Sequence, residues 1–252
     1  MIQRPHCRGA CWCRVALLCG VLAAAVLVPP SVLAQESARM HADAAQASLY
    51  PELRRFLADR RGEFDRIPAE RKELLEELGA FVRRHHEADK PVDLIFVCTH
   101  NSRRSHMSQL WAQAAADMLG LRVTTYSGGT EDTAFNPRAV AAIERAGFRV
   151  EKTTEARNPI YHVRMADDRP AMTCFSKAYD APPNPDGGFG AVMVCDDADE
   201  ACPVVDGAAG RFAIPFVDPK VSDNTPAEAA TYDERCAQIA REMLYAMTRA
   251  RG

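Results

Sequence analysis

The clearest chemical signal in this sequence is a cysteine that is followed six residues later by an arginine. Cys98 follows the predicted buried strand 92–97, and Arg104 opens an amphipathic segment, with small or polar residues between them. A tight loop that enters a helix turns backbone N–H groups inward, and these form a socket for a tetrahedral oxyanion. Arg104 adds a bidentate guanidinium, and the same field favours a thiolate at Cys98. We therefore predict that Cys98 is a nucleophile in an oxyanion-binding loop.

The elements around this loop are predicted to alternate between strand and helix. We expect strands at 92–97, 122–126, 148–152, 191–195 and 212–216. We expect helices at 105–119, between the cap Asn136 and Gly147, and from a capping box of Thr225 and Glu228 onward. This alternation predicts an α/β fold of three layers, with a central parallel sheet of about four strands and helices on both faces. A hairpin is expected at 160–177.

The N-terminal residues have the features of a secretory signal peptide. Three arginines precede the apolar run 15–28, two prolines end it, and Val32 and Ala34 occupy the −3 and −1 positions of a cleavage site before Gln35. The alternative is an uncleaved membrane anchor, for which 14 apolar residues are few. We therefore predict export to the periplasm or the exterior, with no stable membrane span after cleavage.

The chain is predicted to have three parts. Residues 1–34 are the signal peptide, residues 35–90 are a tether followed by a helical extension, and residues 91–252 are an α/β domain. The extension contains an apolar stripe at helical spacing, which predicts a helix that packs on a core. Its members are Leu74, Leu75, Leu78, Phe81 and Val82.

Cysteine content and charge restrict the partners of the exported chain. Residues 35–252 contain five cysteines, and an odd number leaves at least one thiol free or paired with another molecule. Cys174 and Cys236 are predicted to be structural. Loss of residues 1–34 takes the net charge from −3 to −6, and no block of like charge indicates a nucleic-acid partner. His85-His86 lacks further ligands, so we predict no metal site and no cofactor.

The segment 96–105, FVCTHNSRRS, resembles the phosphate-binding loop of the low-molecular-weight protein tyrosine phosphatase family. This family includes the thioredoxin-coupled arsenate reductases. The resemblance covers about residues 92–249, with the hairpin at about 155–185 as an insertion. It implies a catalytic Cys98 and Arg104, within a loop formed and supported by Thr99, His100, Asn101, Ser102, Arg103 and Ser105. Arg103 departs from the family, which often has a second cysteine there.

The family also carries a catalytic acid in an Asp-Pro pair near the C-terminal end. Asp218-Pro219 follows a predicted strand and matches that pair. The resemblance implies that Asp218 protonates the leaving oxygen and then activates water against a thiophosphate intermediate. Taken alone, an Asp-Pro pair is more often a turn.

Cys195 and Cys202 leave the choice between two enzymes open. A cysteine that ends a strand, with another seven residues on, is similar to the resolving pair of the arsenate reductases. The tyrosines that usually follow the Asp-Pro pair in tyrosine phosphatases are also missing, since Lys220 to Ser222 occupy those positions. Export opposes reduction, because cysteine pairs outside the cytoplasm tend to be oxidised, and the pair can equally be a plain disulfide.

The sequence therefore predicts a cysteine-based phosphatase that acts on phosphomonoesters of a small molecule or a protein. The alternative is an arsenate reductase that uses Cys98, Cys195 and Cys202 and a thioredoxin-like reductant. Both hypotheses require a phosphate or arsenate oxyanion as ligand. A third hypothesis is an oxyanion-binding module without turnover, but binding alone requires neither a nucleophile nor an acid.

Overall fold

The computed structural model describes residues 49–202 and 204–252. The predicted signal peptide and most of the predicted tether lie outside the described residues. In chain order the helices are α1 (Pro51–Arg61), α2 (Ala69–Glu87), α3 (Arg104–Leu119), α4 (Pro137–Arg145), α5 (Asp196–Ala201) and α6 (Glu228–Arg251). The strands are β1 (Val92–Cys98), β2 (Val123–Gly129), β3 (Arg149–Lys152), β4 (Tyr161–Arg164), β5 (Met172–Cys174), β6 (Phe189–Met193) and β7 (Ala208–Ala213).

Four strands form a parallel sheet in the order β2-β1-β6-β7. β1 is completely apolar from Leu94 to Val97 and is buried along that length, as expected for a central parallel strand. Helices flank this sheet, so the predicted α/β fold with a four-stranded parallel sheet is confirmed. The carboxyl ends of the strands lie at one edge, and this edge positions the loop after Cys98.

The hairpin is part of a second, antiparallel sheet. β4 and β5 pair as predicted, with Tyr161 opposite Cys174, and β3 adds to the other side of β4. The short strand predicted at 148–152 is thus β3, which belongs to this sheet and not to the parallel one.

The helical extension packs into the same hydrophobic core as the α/β elements. Leu75, Leu78, Phe81 and Val82 are buried as predicted, and α2 packs closely on α6. Leu74 is the exception, since it is 36% exposed and lies at the edge of the apolar stripe. No helix in residues 49–202 and 204–252 is long and apolar enough to cross a membrane.

The start of α4 agrees with the capping residue predicted from the sequence, whereas the start of α6 does not. The Asn136 side chain accepts a hydrogen bond from the N–H of Arg138 at 2.9 Å, which is the predicted cap of α4. The capping box predicted for α6 is wrong in detail. The helix begins at Glu228, whose carboxylate accepts from the N–H of Asn224 at 2.6 Å, while Thr225 lies in the preceding turn.

Strand ends differ from the prediction more than strand positions do. β2 runs on to Gly129, three residues beyond the prediction, because Ser127 to Gly129 continue the pairing with β1. β6 and β7 end at Met193 and Ala213, short of the predicted ends. The apolar residues that come after each strand are buried and keep single backbone hydrogen bonds to the neighbouring segment, from the N–H of Val194 to the Val97 carbonyl at 2.8 Å and from that of Phe216 to the Val194 carbonyl at 3.1 Å. Periodicity alone does not distinguish such extended residues from a regular strand.

Candidate active site

A chain of hydrogen bonds leads to the sulfur of Cys98. Asn101 Nδ2 donates to Ser105 Oγ at 2.9 Å, and Ser105 Oγ lies 3.1 Å from Cys98 Sγ. Because the Ser105 oxygen accepts from Asn101, its own proton is available to the sulfur. All three side chains are buried, so these contacts are shielded from water. Asn101 and Ser105 therefore lie where the sequence predicts the loop-supporting pair.

The backbone of the loop turns its carbonyl groups outward. The Cys98 carbonyl accepts from the N–H of Thr130 at 3.2 Å, and the Thr99 carbonyl accepts from the N–H of Glu131 at 2.8 Å. The His100 carbonyl accepts from the hydroxyl of Thr133 at 3.0 Å. By contrast, no other described residue accepts a hydrogen bond from a backbone N–H of residues 99–103. Free amides of this kind are the donors that an oxyanion socket needs.

Gly129 makes this close packing of the loop against β2 sterically feasible. A Cβ atom on Gly129 would lie 2.2 Å from the Glu131 carbonyl oxygen and 2.7 Å from that of Thr99. A glycine is therefore required at position 129 because two stretches of backbone approach each other closely there, and not only because the chain turns.

Arg104 and Asp218 meet beside the loop. Arg104 Nη2 lies 3.1 Å from Asp218 Oδ2, and Arg104 Nη1 donates to the Phe216 carbonyl at 3.0 Å. The Nε of Arg104 is buried and has no partner among the described residues. The Asp218 carboxylate also accepts from the N–H of Lys220 at 3.0 Å, which caps the short 3₁₀ helix Pro219–Ser222. The structure thus brings together the predicted arginine and acid, which are 114 residues apart in sequence.

Arg103 points away from the amides of the loop and toward α6. Its Nε donates to the Tyr232 hydroxyl at 2.8 Å and lies 3.8 Å from Asp218 Oδ1. Its Nη2 lies 3.5 Å from Asp223, which also accepts from Tyr232 at 2.8 Å. Asp218 therefore lies between two guanidinium groups. Sequence reasoning missed these contacts of Tyr232, since an apolar stripe at helical spacing carries no sign of a hydrogen bond from a hydroxyl group.

The remaining loop side chains have peripheral contacts. Ser102 Oγ donates to the Ala134 carbonyl at 2.8 Å. His100 is half-exposed, with Nε2 3.5 Å from Glu131. Both contacts tie the loop to the segment between β2 and α4.

Two residues that sequence reasoning missed brace the loop from the end of the hairpin. The Lys177 N–H donates to Asn101 Oδ1 at 2.9 Å, and the Lys177 carbonyl accepts from Gly129 at 2.9 Å. Ser176 Oγ donates to the His100 carbonyl at 3.0 Å. Each lies 76 positions from its loop partner, and no motif marks either one.

Cys195 lies next to the loop and Cys202 lies seven residues further on. Cys195 Sγ is 3.5 Å from Thr99 Oγ1 and is buried, while Cys202 is partly buried at the end of α5. Both are free thiols, so the plain disulfide considered for this pair is not formed in the structure.

Burial shifts the titration of several groups around the site. It raises the pKa values of Cys174 and Cys236 to about 12, which keeps both thiols protonated at neutral pH and fits a structural role. Burial and the charge of Lys177 lower the pKa of His106 well below its usual value. Across the described part of the chain, no three His, Cys, Asp or Glu side chains are arranged to hold a metal ion.

Residues 93–166, which include the whole loop, match the family profile described as low molecular weight phosphotyrosine protein phosphatase. This part of the chain is similar to the low-molecular-weight phosphatases. This match confirms the resemblance stated for segment 96–105.

Curated proteins that are similar to this chain are named arsenate reductases. One from Bacillus licheniformis is 29% identical over 144 residues, which cover 56% of this chain and 84% of that protein. Arsenate reductase 2 from Staphylococcus saprophyticus is 28% identical over 112 residues, which cover 44% of this chain and 66% of that protein. One from Bacillus subtilis is 38% identical over 61 residues, which cover 24% of this chain and 42% of that protein.

Solved structures of both enzyme types are similar to the chain. A low-molecular-weight protein tyrosine phosphatase from T. tengcongensis has a TM-score of 0.42 at 15% identity, over 61% of this chain and 96% of that one. Arsenate reductase from Archaeoglobus fulgidus has a TM-score of 0.37 at 20% identity, over 60% and 95% respectively.

Proposed function

We propose that the protein is a phosphatase that hydrolyses phosphomonoesters through a cysteine nucleophile. The observation that carries this proposal is the convergence of three side chains at one sheet edge. The sulfur of Cys98 forms a hydrogen bond with the Ser105 hydroxyl, and the Arg104 guanidinium lies 3.1 Å from the Asp218 carboxylate beside the same loop. A nucleophile, an anion-binding guanidinium and an acid are the groups that phosphoryl transfer through an intermediate requires.

In the first step the Cys98 thiolate attacks the phosphorus of the bound ester. The sulfur–phosphorus bond forms as the bond to the leaving oxygen breaks, and Asp218 gives that oxygen a proton. The free amides of residues 99–103 and the unpartnered Nε of Arg104 are available to the equatorial oxygens. These donors stabilise the negative charge of the transition state because they are already fixed in place.

In the second step water hydrolyses the thiophosphate. Asp218 takes a proton from water, the water oxygen attacks phosphorus, and the sulfur–phosphorus bond breaks to release phosphate and the Cys98 thiolate. Ser105 stabilises the departing thiolate through its hydroxyl proton.

The Arg104 guanidinium is shared between the acid and the substrate. A tetrahedral dianion in the loop would compete with the Asp218 carboxylate for this guanidinium. Binding of substrate would thus weaken the ion pair and release Asp218 from it.

The experiment is hydrolysis of p-nitrophenyl phosphate by the purified protein. We expect no turnover by Cys98→Ser, and a decrease in kcat of about 10²- to 10⁴-fold in Asp218→Ala because the general acid is lost. Cys202→Ser and Asp233→Asn, which change a thiol and a carboxylate outside the loop, are matched controls with unchanged turnover. Turnover that survives Cys98→Ser would refute the proposal.

A second candidate is arsenate reduction, which is favoured by the contact of Cys195 with Thr99 and by the names of the relatives. Cys98 would displace water from arsenate to form a sulfur–arsenic bond. Cys195 would then attack the Cys98 sulfur, which releases arsenite and forms a disulfide, so the two thiols supply the two electrons. Cys202 would take over that disulfide and present it to a thioredoxin-like reductant.

The two candidates are separated by an arsenate assay beside the phosphate assay. Reduction predicts arsenite release with a thiol reductant that is abolished by Cys202→Ser and unchanged in Cys174→Ala. If both Cys195→Ser and Cys202→Ser leave arsenate turnover intact, the reductase candidate is rejected. Phosphatase activity requires neither thiol.

We also propose that the chain is exported and that residues 1–34 are removed. The support is the arginine-rich start, the apolar run and the cleavage site in the sequence. The test is the N-terminal residue of the protein recovered from cell fractions. We expect Gln35 in a periplasmic or secreted fraction, whereas an intact Met1 in the cytoplasm contradicts export.

A further inference from the structure

A pocket lies next to Lys177, one of the two residues that brace the loop. It is formed by α3, β2 and β5, has a volume of about 220 Å³, and has Lys177 in its lining. Met172 and Pro183 give it an apolar part, and Tyr126 and Thr173 also belong to the lining. This volume suits a small organic molecule more than a drug-sized ligand.

Lys177 is the charged residue in the lining of this pocket, and it is only 7% exposed. Its Nζ lies 4.9 Å from the centre of the Phe175 ring. Among the described residues, none forms a hydrogen bond or an ion pair with this Nζ. The residue is largely buried while its ammonium still reaches solvent, so a ligand in the pocket can contact a charge that has no protein counter-charge.

The titratable groups around Lys177 do not neutralise it. Burial keeps His106 and Cys174 uncharged at neutral pH, and Asp93 lies on β1 outside the lining. Burial lowers the pKa of Lys177 itself to about 8, which is the response of an ammonium without a counter-charge. An anion in the pocket would reverse that effect.

We propose that this pocket binds a small monocarboxylate, with Lys177 as its counter-charge. A single ammonium balances a single negative charge, which favours a carboxylate over a phosphate dianion. The apolar part of the lining accommodates a short hydrocarbon group. The site is separate from the Cys98 loop and does not depend on the proposed catalytic function.

The pocket is nevertheless linked to the loop through the Lys177 backbone. The Lys177 N–H donates to Asn101, and Asn101 donates to Ser105, which contacts the Cys98 sulfur. A ligand on the Lys177 side chain would therefore be reported by the backbone amides of Lys177 and Asn101.

The test is an NMR titration of the folded protein, labelled with ¹³C at lysine and ¹⁵N at the backbone. The probe is benzoate, and benzamide is the uncharged control of the same size. We expect a saturable shift of the Lys177 Cε signal with benzoate and none with benzamide. We also expect the pKa of Lys177 to rise on binding, because the ligand stabilises the charged form.

Variants locate the binding. Lys177→Met keeps the apolar stem and should weaken benzoate binding by about tenfold or more, since a charged hydrogen bond is lost. Lys90→Met, at an exposed lysine, and Arg104→Ala, in the loop, should keep the wild-type affinity. Absence of a saturable shift at Lys177, equal affinity in Lys177→Met, or loss of binding in Arg104→Ala overturns the proposal. If Lys177→Met does not fold, the pKa of Lys177 in the wild-type protein is the test. A rise on addition of benzoate supports the proposal, and an unchanged pKa overturns it.

Discussion

At the scale of single residues, the site depends on how few groups touch the sulfur of Cys98. Ser105 is the described residue that contacts this sulfur through a hydroxyl, and Asn101 fixes the direction of that contact. Asn101 has a φ of 42°, a left-handed conformation that asparagine adopts more readily than most residues. The same residue therefore supplies both the bend of the loop and the orientation of Ser105.

Substitution Ser105→Ala tests this contact. We expect kcat/KM for p-nitrophenyl phosphate to fall by about 10- to 100-fold, because a hydrogen bond to a charged sulfur is lost. The rate of alkylation of Cys98 by iodoacetate should change as well.

Ser108→Ala is the matched control for this substitution. Ser108 is buried on the same helix, and its hydroxyl has no partner in the described chain. Equal losses of activity in the two variants would mean that Ser105 acts only through packing.

At the scale of elements, the loop is held by the segments that leave the ends of β2 and β5. The N–H groups of Thr130 and Glu131 bond to its carbonyls from one side, and Ser176 and Lys177 bond from the other. The hairpin sheet therefore has a role in the site, although it resembles an insertion in the sequence. Rigid elements on both sides fix the loop before any anion arrives, which lowers the cost of binding.

Substitution Gly129→Ala tests the close approach of β2 to the loop. The added methyl group would lie 2.2 Å from the Glu131 carbonyl oxygen, so the backbone must shift. We expect a loss of about 1–3 kcal/mol in the free energy of unfolding, measured in urea, together with a large loss of activity.

Gly187→Ala provides the comparison, because its methyl group would have its nearest neighbour at 3.8 Å. This variant should keep both stability and turnover. Wild-type activity in Gly129→Ala would show that the loop tolerates displacement from β2.

At the scale of the whole molecule, the N-terminal extension is joined to the α/β elements along α6. Arg71 lies 2.7 Å from Glu242, and Tyr245 donates to Glu76 at 2.6 Å. Arg71 also lies over the Phe216 ring, 4.7 Å from its centre, and the Phe216 carbonyl accepts from Arg104. The extension therefore supports the segment that leads to Asp218.

Substitution Gly79→Ala tests the packing of α2 on α6. Alanine favours a helix by about 1 kcal/mol over glycine, but here its Cβ would lie 2.8 Å from the Ala246 carbonyl oxygen. We expect the steric term to dominate and the free energy of unfolding to fall by about 1–3 kcal/mol.

Gly62→Ala separates the steric effect from helix propensity. Its added methyl group would lie 3.4 Å from its nearest neighbour, so stability should stay the same or rise slightly. A stabilised Gly79→Ala would mean that the two helices are not in tight contact. Thermal or urea unfolding of the three proteins provides the comparison.

Local features of this protein could be predicted from the amino-acid sequence alone. The strand before Cys98, the loop, the start of α3 and the cap of α4 depend on neighbouring residues, and the structure has each of them within a few positions of the prediction. Ends of strands were predicted less well, because buried apolar residues continue beyond β6 and β7 with single backbone hydrogen bonds but outside the regular strand pairing.

The residues from distant parts of the sequence that contact the loop could be identified only from the complete fold. Asp218 was predicted through the family motif, but its position between Arg104 and Arg103 depends on how α6 packs. Ser176, Lys177 and Tyr232 had no signal in the sequence, since hydrogen bonds between residues far apart leave no periodic pattern. Contacts of this kind arise only when packed elements bring their ends together.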